Sequence, residues 1–146
     1  MMDQLELKPL EKRRLARILS QTKSIALIGA SNRPERASYD VMQYLLTHGF
    51  DVHPVNPQLA GAVILGKTCV SSLEELEQVD LINVFRRGEF AAQITLEAIA
   101  HNAQCLWLQE GVTSTVAAES AREEELDYVE DICIKKVHKL LMHSAN

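Results

Sequence analysis

The sequence predicts an α/β fold: a Rossmann-like doubly wound, mainly parallel sheet of about five strands with helices on both faces. Three observations carry this. Apolar runs bounded by glycine, proline or polar residues recur along the chain, stretches of helical spacing separate them, and there is no repeat or low-complexity linker. Alternation of this kind argues for right-handed βαβ units. With 146 residues, 47% hydrophobic and 24% charged, the chain has the length and composition of one ordinary domain, so disordered, collagenous and disulfide-framework classes fall away.

Pro9 opens a short helix, because proline tolerates the first helical turn. Leu10, Leu15, Ile18 and Leu19 supply its apolar face, with Arg13, Arg14 and Arg17 mostly opposite. The segment from Ser24 to Gly29 is apolar throughout, as a strand covered on both faces requires. After a polar loop from Ser31 to Ala37, Val41, Met42, Leu45 and Leu46 repeat at helical spacing. Gly49 then sits where a C-terminal cap needs positive φ. Phe50 to Val55 reads as the second strand, stopped by Pro54 and Pro57.

Residues 58–70 read as a loop holding a short strand around Val63 to Leu65, and Ser71 to Glu75 has the pattern of a capped short helix. Asp80 to Phe85 is the third strand, followed by a helix from about Glu89 to His101 that buries Phe90, Ile94 and Ala98. Gln104 to Leu108 is the fourth, punctuated by Gly111, with a helix from about Ser114 to Glu124. Leu126 to Val129 gives the fifth, and Ile134, Val137, Leu140 and Leu141 a final amphipathic turn or helix. The expected organisation is a helical extension over 1–23, the Rossmann-like domain over 24–133 and an amphipathic segment over 134–146.

Fifteen basic against twenty acidic residues leave a formal charge of −5. A general nucleic-acid binder carries a basic excess, since phosphate neutralisation supplies much of its affinity, so nucleic acid is not an expected partner. No apolar run approaches the roughly 20 residues that span a bilayer. The start, Met1-Met2-Asp3-Gln4, lacks the pattern of a secretory signal. Cys69, Cys105 and Cys133 cannot all pair and show no metal-ligand spacing, so a reduced, cytoplasmic protein without membrane contact is the expectation. Residues 1–23 and the last sixteen are basic around an acidic middle, a pattern of solvated helix surface or, alternatively, of two docking patches.

In such folds ligands bind beyond the carboxyl ends of the strands, where strand order reverses. Gly29 lets backbone approach a ligand closely, and the small Ala30 and Ser31 keep that approach open. Amides of the next helix and the Ser38 hydroxyl can hold a pyrophosphate, and Arg33 and Arg36 add charge. The plainer alternative is a turn with two surface arginines. The G-x-G-x-x-G fingerprint is absent, and the second strand ends in Val55-Asn56-Pro57 with no carboxylate between Asp51 and Glu74. An NAD site usually places a carboxylate there for the ribose hydroxyls. A phosphorylated ribose suits this end better, because a carboxylate would repel it. NADP and coenzyme A both meet that condition. At the third and fourth ends, Phe85 can lie against an adenine or a pantetheine arm, Arg86 can reach a phosphate, and Gln109 offers an acceptor and a donor. Trp107, between Leu106 and Leu108, reads as core.

Six pieces stand in one order: Ile28 to Ser31, Arg36 to Tyr39, Pro54 to Pro57, Leu65-Gly66, Val84 to Arg86, and Leu106 to Gly111. Together they resemble the small, stand-alone CoA-binding proteins of the YccU type, relatives of the CoA-binding domain of succinyl-CoA synthetase and of ADP-forming acyl-CoA synthetases. The resemblance covers about residues 24 to 133. It implies a Rossmann-type fold holding coenzyme A over the first and second strand ends. Gly29, Ala30, Ser31, Arg36 and Ser38 would then serve the phosphates, and Asn56 and Pro57 would border the nucleotide. Phe85, Arg86, Gln109 and Gly111 would line the remainder. Stand-alone members look like binders rather than enzymes, and the synthetases carry their phosphorylated histidine in another domain. One departure stands out: Ile132 and Val137 occupy positions where the family commonly has Arg and Glu, which suggests an apolar contact in place of a charged pair.

No catalytic or metal constellation is expected. His48, His53, His101, His138 and His143 share no motif with a cysteine or carboxylate. Cys133 reads as a buried small hydrophobe, with a mixed disulfide to the thiol of coenzyme A as the alternative. Three functions follow from these residues. The favoured one is a non-catalytic binder of coenzyme A or an acyl-CoA, acting for a partner acyl-CoA enzyme. The others are a small NADP-using oxidoreductase or nucleotide-sensing regulator, and a structural interaction module that self-associates through its basic ends and amphipathic C-terminal segment.

Overall fold

Side chains of the long strands alternate between two helical layers, and that period of two organises the molecule. The structure, a computed structural model, describes residues 5–144. In β1 (Ser24–Ile28), Ile25 and Leu27 face one layer, Ala26 and Ile28 the other. The first layer is α1 (Pro9–Ser20), α2 (Ala37–Thr47) and α5 (Ile134–Ser144), which contribute Leu15, Ile18, Met42, Leu45, Ile134 and Val137. The second is α3 (Ala91–Ala100) and α4 (Thr115–Glu123), which contribute Ile94, Ala98, Ala117 and Ala121. Covering both faces explains why the strands read as unbroken apolar runs. Burying each large aliphatic side chain stabilises the fold by about 1.5–3 kcal/mol.

The sheet is parallel throughout, in the order β2-β1-β5-β6-β7, with β2 (Asp51–Val55), β5 (Leu81–Val84), β6 (Cys105–Leu108) and β7 (Asp127–Val129). Its register aligns Ile28 with Val55 on one side and with Val84 on the other. Asp80 pins the opposite end: its carboxylate accepts from the Lys23 and Ser24 amides at 2.8 and 3.1 Å, and its own N–H donates to Ser24 Oγ at 3.0 Å. Five strands with helices on both faces make the Rossmann-like α/β fold that the sequence predicts.

Three local features differ from the sequence reading. The short strand near Val63 is half of a two-residue antiparallel hairpin, β3 (Val63–Ile64) with β4 (Lys67–Thr68). Leu10 is 75% exposed, not part of the buried face of α1. It lies five residues from Leu15, well off the stripe made by Leu15, Ile18 and Leu19. Phe90 lies in a 3₁₀ turn, Gly88–Phe90, ahead of α3, which rotates its half-buried ring out of line with Ile94 and Ala98. Ser71 to Glu75 does form a capped turn, with Ser72 and Glu75 in a reciprocal capping box. Trp107 is fully buried, and Ile132 and Val137 belong to one apolar cluster.

Candidate functional site

The chain leaves β1 toward one helical layer and β5 toward the other, so a crevice opens between the carboxyl ends of these adjacent strands. Backbone closes its floor. The Phe85 amide donates to Ile28 O at 2.8 Å, and the Gly29 and Ala30 amides donate to Val55 O at 3.0 and 3.3 Å. Gly29 adopts φ +92, and a Cβ there would stand 3.2 Å from the carbonyl carbon and Cβ of Phe85. Glycine is required by both conformation and space.

Above this floor lies a groove of about 550 Å³ lined by Gly29 to Arg33, Arg36 to Ser38, Asn56, Gln58, Leu59 and Phe85. Its loop is shaped by short local bonds. Ser31 Oγ accepts from the Arg33 amide at 3.1 Å, and Arg33 O accepts from the Arg36 amide at 3.0 Å. Asn56 ties the two strand ends together: Nδ2 donates to Ala30 O at 2.9 Å while Oδ1 accepts from the Gln58 amide at 2.9 Å. Arg36, at the N-cap of α2, makes no side-chain cap, so the Ala37 and Ser38 amides keep their donors for a groove occupant, while the Tyr39 amide donates to Arg36 O at 3.1 Å. Arg33 and Arg36 are exposed, and neither is in an ion pair with any described residue. The lining carries two guanidinium groups and no carboxylate. An acidic protein thus holds a locally cationic, donor-rich hollow.

Two further chambers continue the groove. One, about 500 Å³, shares Gly29, Asn56 and Gln58 with it and adds Pro57, Ser71, Ser72, Arg86, Phe90, Gln93 and Glu97. Here the Arg86 guanidinium stacks 4.0 Å above the Phe90 ring. The other, about 840 Å³, shares Ala37 and Phe85 and runs between α2, α5 and the loop after β6. Its rim is strapped by Lys135 Nζ to Asp40 at 2.7 Å and Lys136 Nζ to Glu110 at 3.0 Å. Inside stands Gln109, 6% exposed, whose Oε1 accepts from Asn83 Nδ2 at 3.3 Å and from the Ile134 amide at 3.2 Å.

The residues singled out in the sequence are therefore distributed over one continuous trough. Gly29, Ala30, Ser31, Arg33, Arg36, Ser38, Asn56 and Phe85 meet in the central groove. Pro57 and Arg86 belong to one flank and Gln109 to the other. Gly111 lines none of the three, its amide being held by Asp131 Oδ1 at 2.8 Å in the turn after β6. Sequence reasoning passed over Gln58, Phe90 and Gln93 on one side and Val41, Lys135 and Leu140 on the other. The 3₁₀ turn displaces Phe90 and Gln93, and only the packing of α5 against α2 brings Leu140 to the trough.

Comparison with known proteins gives a consistent result. The family model described as CoA binding domain matches residues 23–139. The Bacillus subtilis (strain 168) protein YneT is 35% identical over 128 residues, covering 87% of this chain and 93% of its own. A solved Thermus thermophilus structure, cell-free ID.343, is 34% identical with a TM-score of 0.85, covering 89% of this chain and 98% of that one. A hypothetical protein from Pyrococcus horikoshii OT3 is 31% identical with a TM-score of 0.86, covering 95% and 99%.

Proposed function

The chain belongs to the CoA binding domain family, and from that premise we propose that it binds coenzyme A or an acyl-CoA along the trough, as a carrier or sensor without turnover of its own. One observation carries the reading. A carboxylate-free groove with two unpaired arginines and an uncapped helix start lies between two chambers of unlike chemistry. A pyrophosphate suits the middle, where amides and guanidinium groups converge. The flank with Gln58, Gln93, Ser71, Ser72 and the Arg86–Phe90 stack suits a purine, which needs a flat contact and donors at its edge. The absence of any carboxylate from 52 to 73 favours a ribose carrying a 3′-phosphate. The larger, less polar flank suits the pantetheine arm.

The test is a calorimetric titration of coenzyme A, dephospho-CoA, NADP and NAD, beside native mass spectrometry for a retained ligand. Coenzyme A should bind tightest, with dephospho-CoA weaker by roughly tenfold, about what one charge-assisted hydrogen bond supplies. Arg36→Ala should weaken coenzyme A by a similar factor while leaving the melting temperature unchanged, since the side chain is exposed and unpaired among the described residues. Equal binding of coenzyme A and dephospho-CoA would remove the 3′-phosphate argument. Preference for NADP would replace the ligand.

A further inference from the structure

We propose that the chamber between α2 and α5 is an acyl site, so that the ligand is a thioester carrying an apolar acyl chain rather than free coenzyme A. The inference rests on the coenzyme A reading above and deepens it. Three observations carry it. First, at about 840 Å³ this chamber is the largest of the three, against about 500 and 550 Å³. Second, its walls include Leu5, Val41, Phe85, Val112, Cys133 and Leu140, and it joins the central groove through Ala37 and Phe85. An arm leaving the groove past Phe85 meets these apolar walls, where methylenes are gained at the expense of water, while Glu6, Asp40, Glu110, Lys135, Lys136 and Lys139 make up the charged part of the lining.

The third observation is the one uncharged polar side chain in that lining, Gln109. The Ile134 amide can only donate, so the atom that receives it from Gln109 is the carbonyl Oε1, which fixes the orientation of the side-chain amide. Oε1 is doubly engaged, by Ile134 and by Asn83. Nε2 has no acceptor among the described residues; it is not sealed from solvent, and the residue, 6% exposed, lines the chamber. An unspent, oriented N–H donor facing the chamber offers a hydrogen bond to an acceptor on the occupant. The carbonyl of a thioester is such an acceptor; the thiol of free coenzyme A is a poor one.

The experiment is a titration of the wild-type protein with coenzyme A and its acetyl, butyryl, hexanoyl, octanoyl and decanoyl thioesters. Octanoyl-CoA is then compared with the S-octyl thioether, which keeps the chain and lacks the carbonyl. Affinity should rise by up to about fourfold per methylene, the equivalent of about 0.8 kcal/mol for a buried CH₂, and level off when the chamber is full. The thioether should bind several-fold more weakly than the thioester. Val112→Phe, which fills the chamber from a wall position, should flatten the chain-length series relative to wild type. Coenzyme A binding with no gain from any acyl chain overturns the inference and leaves the coenzyme A reading intact. No binding by any member of the series overturns both.

Discussion

Replacing Gly29 by alanine probes the floor of the trough directly. At φ +92 an L side chain is strained by about 1–2 kcal/mol. The new Cβ also meets the Phe85 carbonyl carbon and Cβ at 3.2 Å and its oxygen at 3.3 Å. Those atoms have little room to retreat, because the Phe85 amide is bonded to Ile28 O at 2.8 Å within the sheet. Gly49 serves as the control, with φ +91 and nothing within 4 Å of an added Cβ. Both changes remove similar freedom from the unfolded chain, worth about 0.4–1 kcal/mol, so that contribution cancels in the comparison. Gly49→Ala should cost about 1 kcal/mol, and Gly29→Ala about 1–3 kcal/mol more, as overpacking does. Urea denaturation measures the difference, and titration with coenzyme A should show roughly tenfold or greater loss for Gly29→Ala alone. Two variants of equal stability, with Gly29→Ala binding like wild type, would refute the argument that the approach of β1 to β5 demands glycine.

Two other predictions concern α5 and its support. Gln109→Leu strips the acceptor from the buried Ile134 amide and one of the two from Asn83 Nδ2, which keeps Trp107 O at 3.3 Å, and should cost about 1–3 kcal/mol in denaturation; a loss under about 0.5 kcal/mol would mean water replaces it. His138 is held below the usual histidine range by burial and then by nearby His48, while its Nδ1 contacts Tyr44 Oη at 2.7 Å. The native state thus resists a proton that the unfolded chain accepts near pH 6.5, so stability is whole above that pH and drains away as pH falls through the lowered native value. Thermal melts between pH 7.5 and 5.5 should show a steeper decline for wild type than for His138→Gln, and parallel declines would discount His138.

The three central strands were legible because each is buried on both faces, leaving continuous apolar runs such as Ile25 to Ile28 and Leu106 to Leu108. The loop after β1 was legible by topology, since a glycine after the first strand of a parallel sheet lies at the crevice wherever else the chain goes. Asn83 was not: one polar residue amid an apolar strand carries no periodic signal, and its purpose emerges only beside Trp107 and Gln109. Nor was the roof. The stripe of Ile134 and Val137 announces an amphipathic helix but not its neighbour, and its seat against Asp40 of α2 is a contact between residues 95 positions apart.

Trp107 is the one tryptophan in the chain, shut wholly from water, with its indole N–H donating to Ile132 O at 2.8 Å. Ile132 lies two residues before α5 begins, so the helix that borders the largest chamber and the one indole are tied by this hydrogen bond and by their shared apolar cluster. The molecule therefore carries its own optical gauge. Its emission should be blue in the folded protein and shift to the red under any condition that admits water to the Ile132 segment, reporting on the start of α5 without a label.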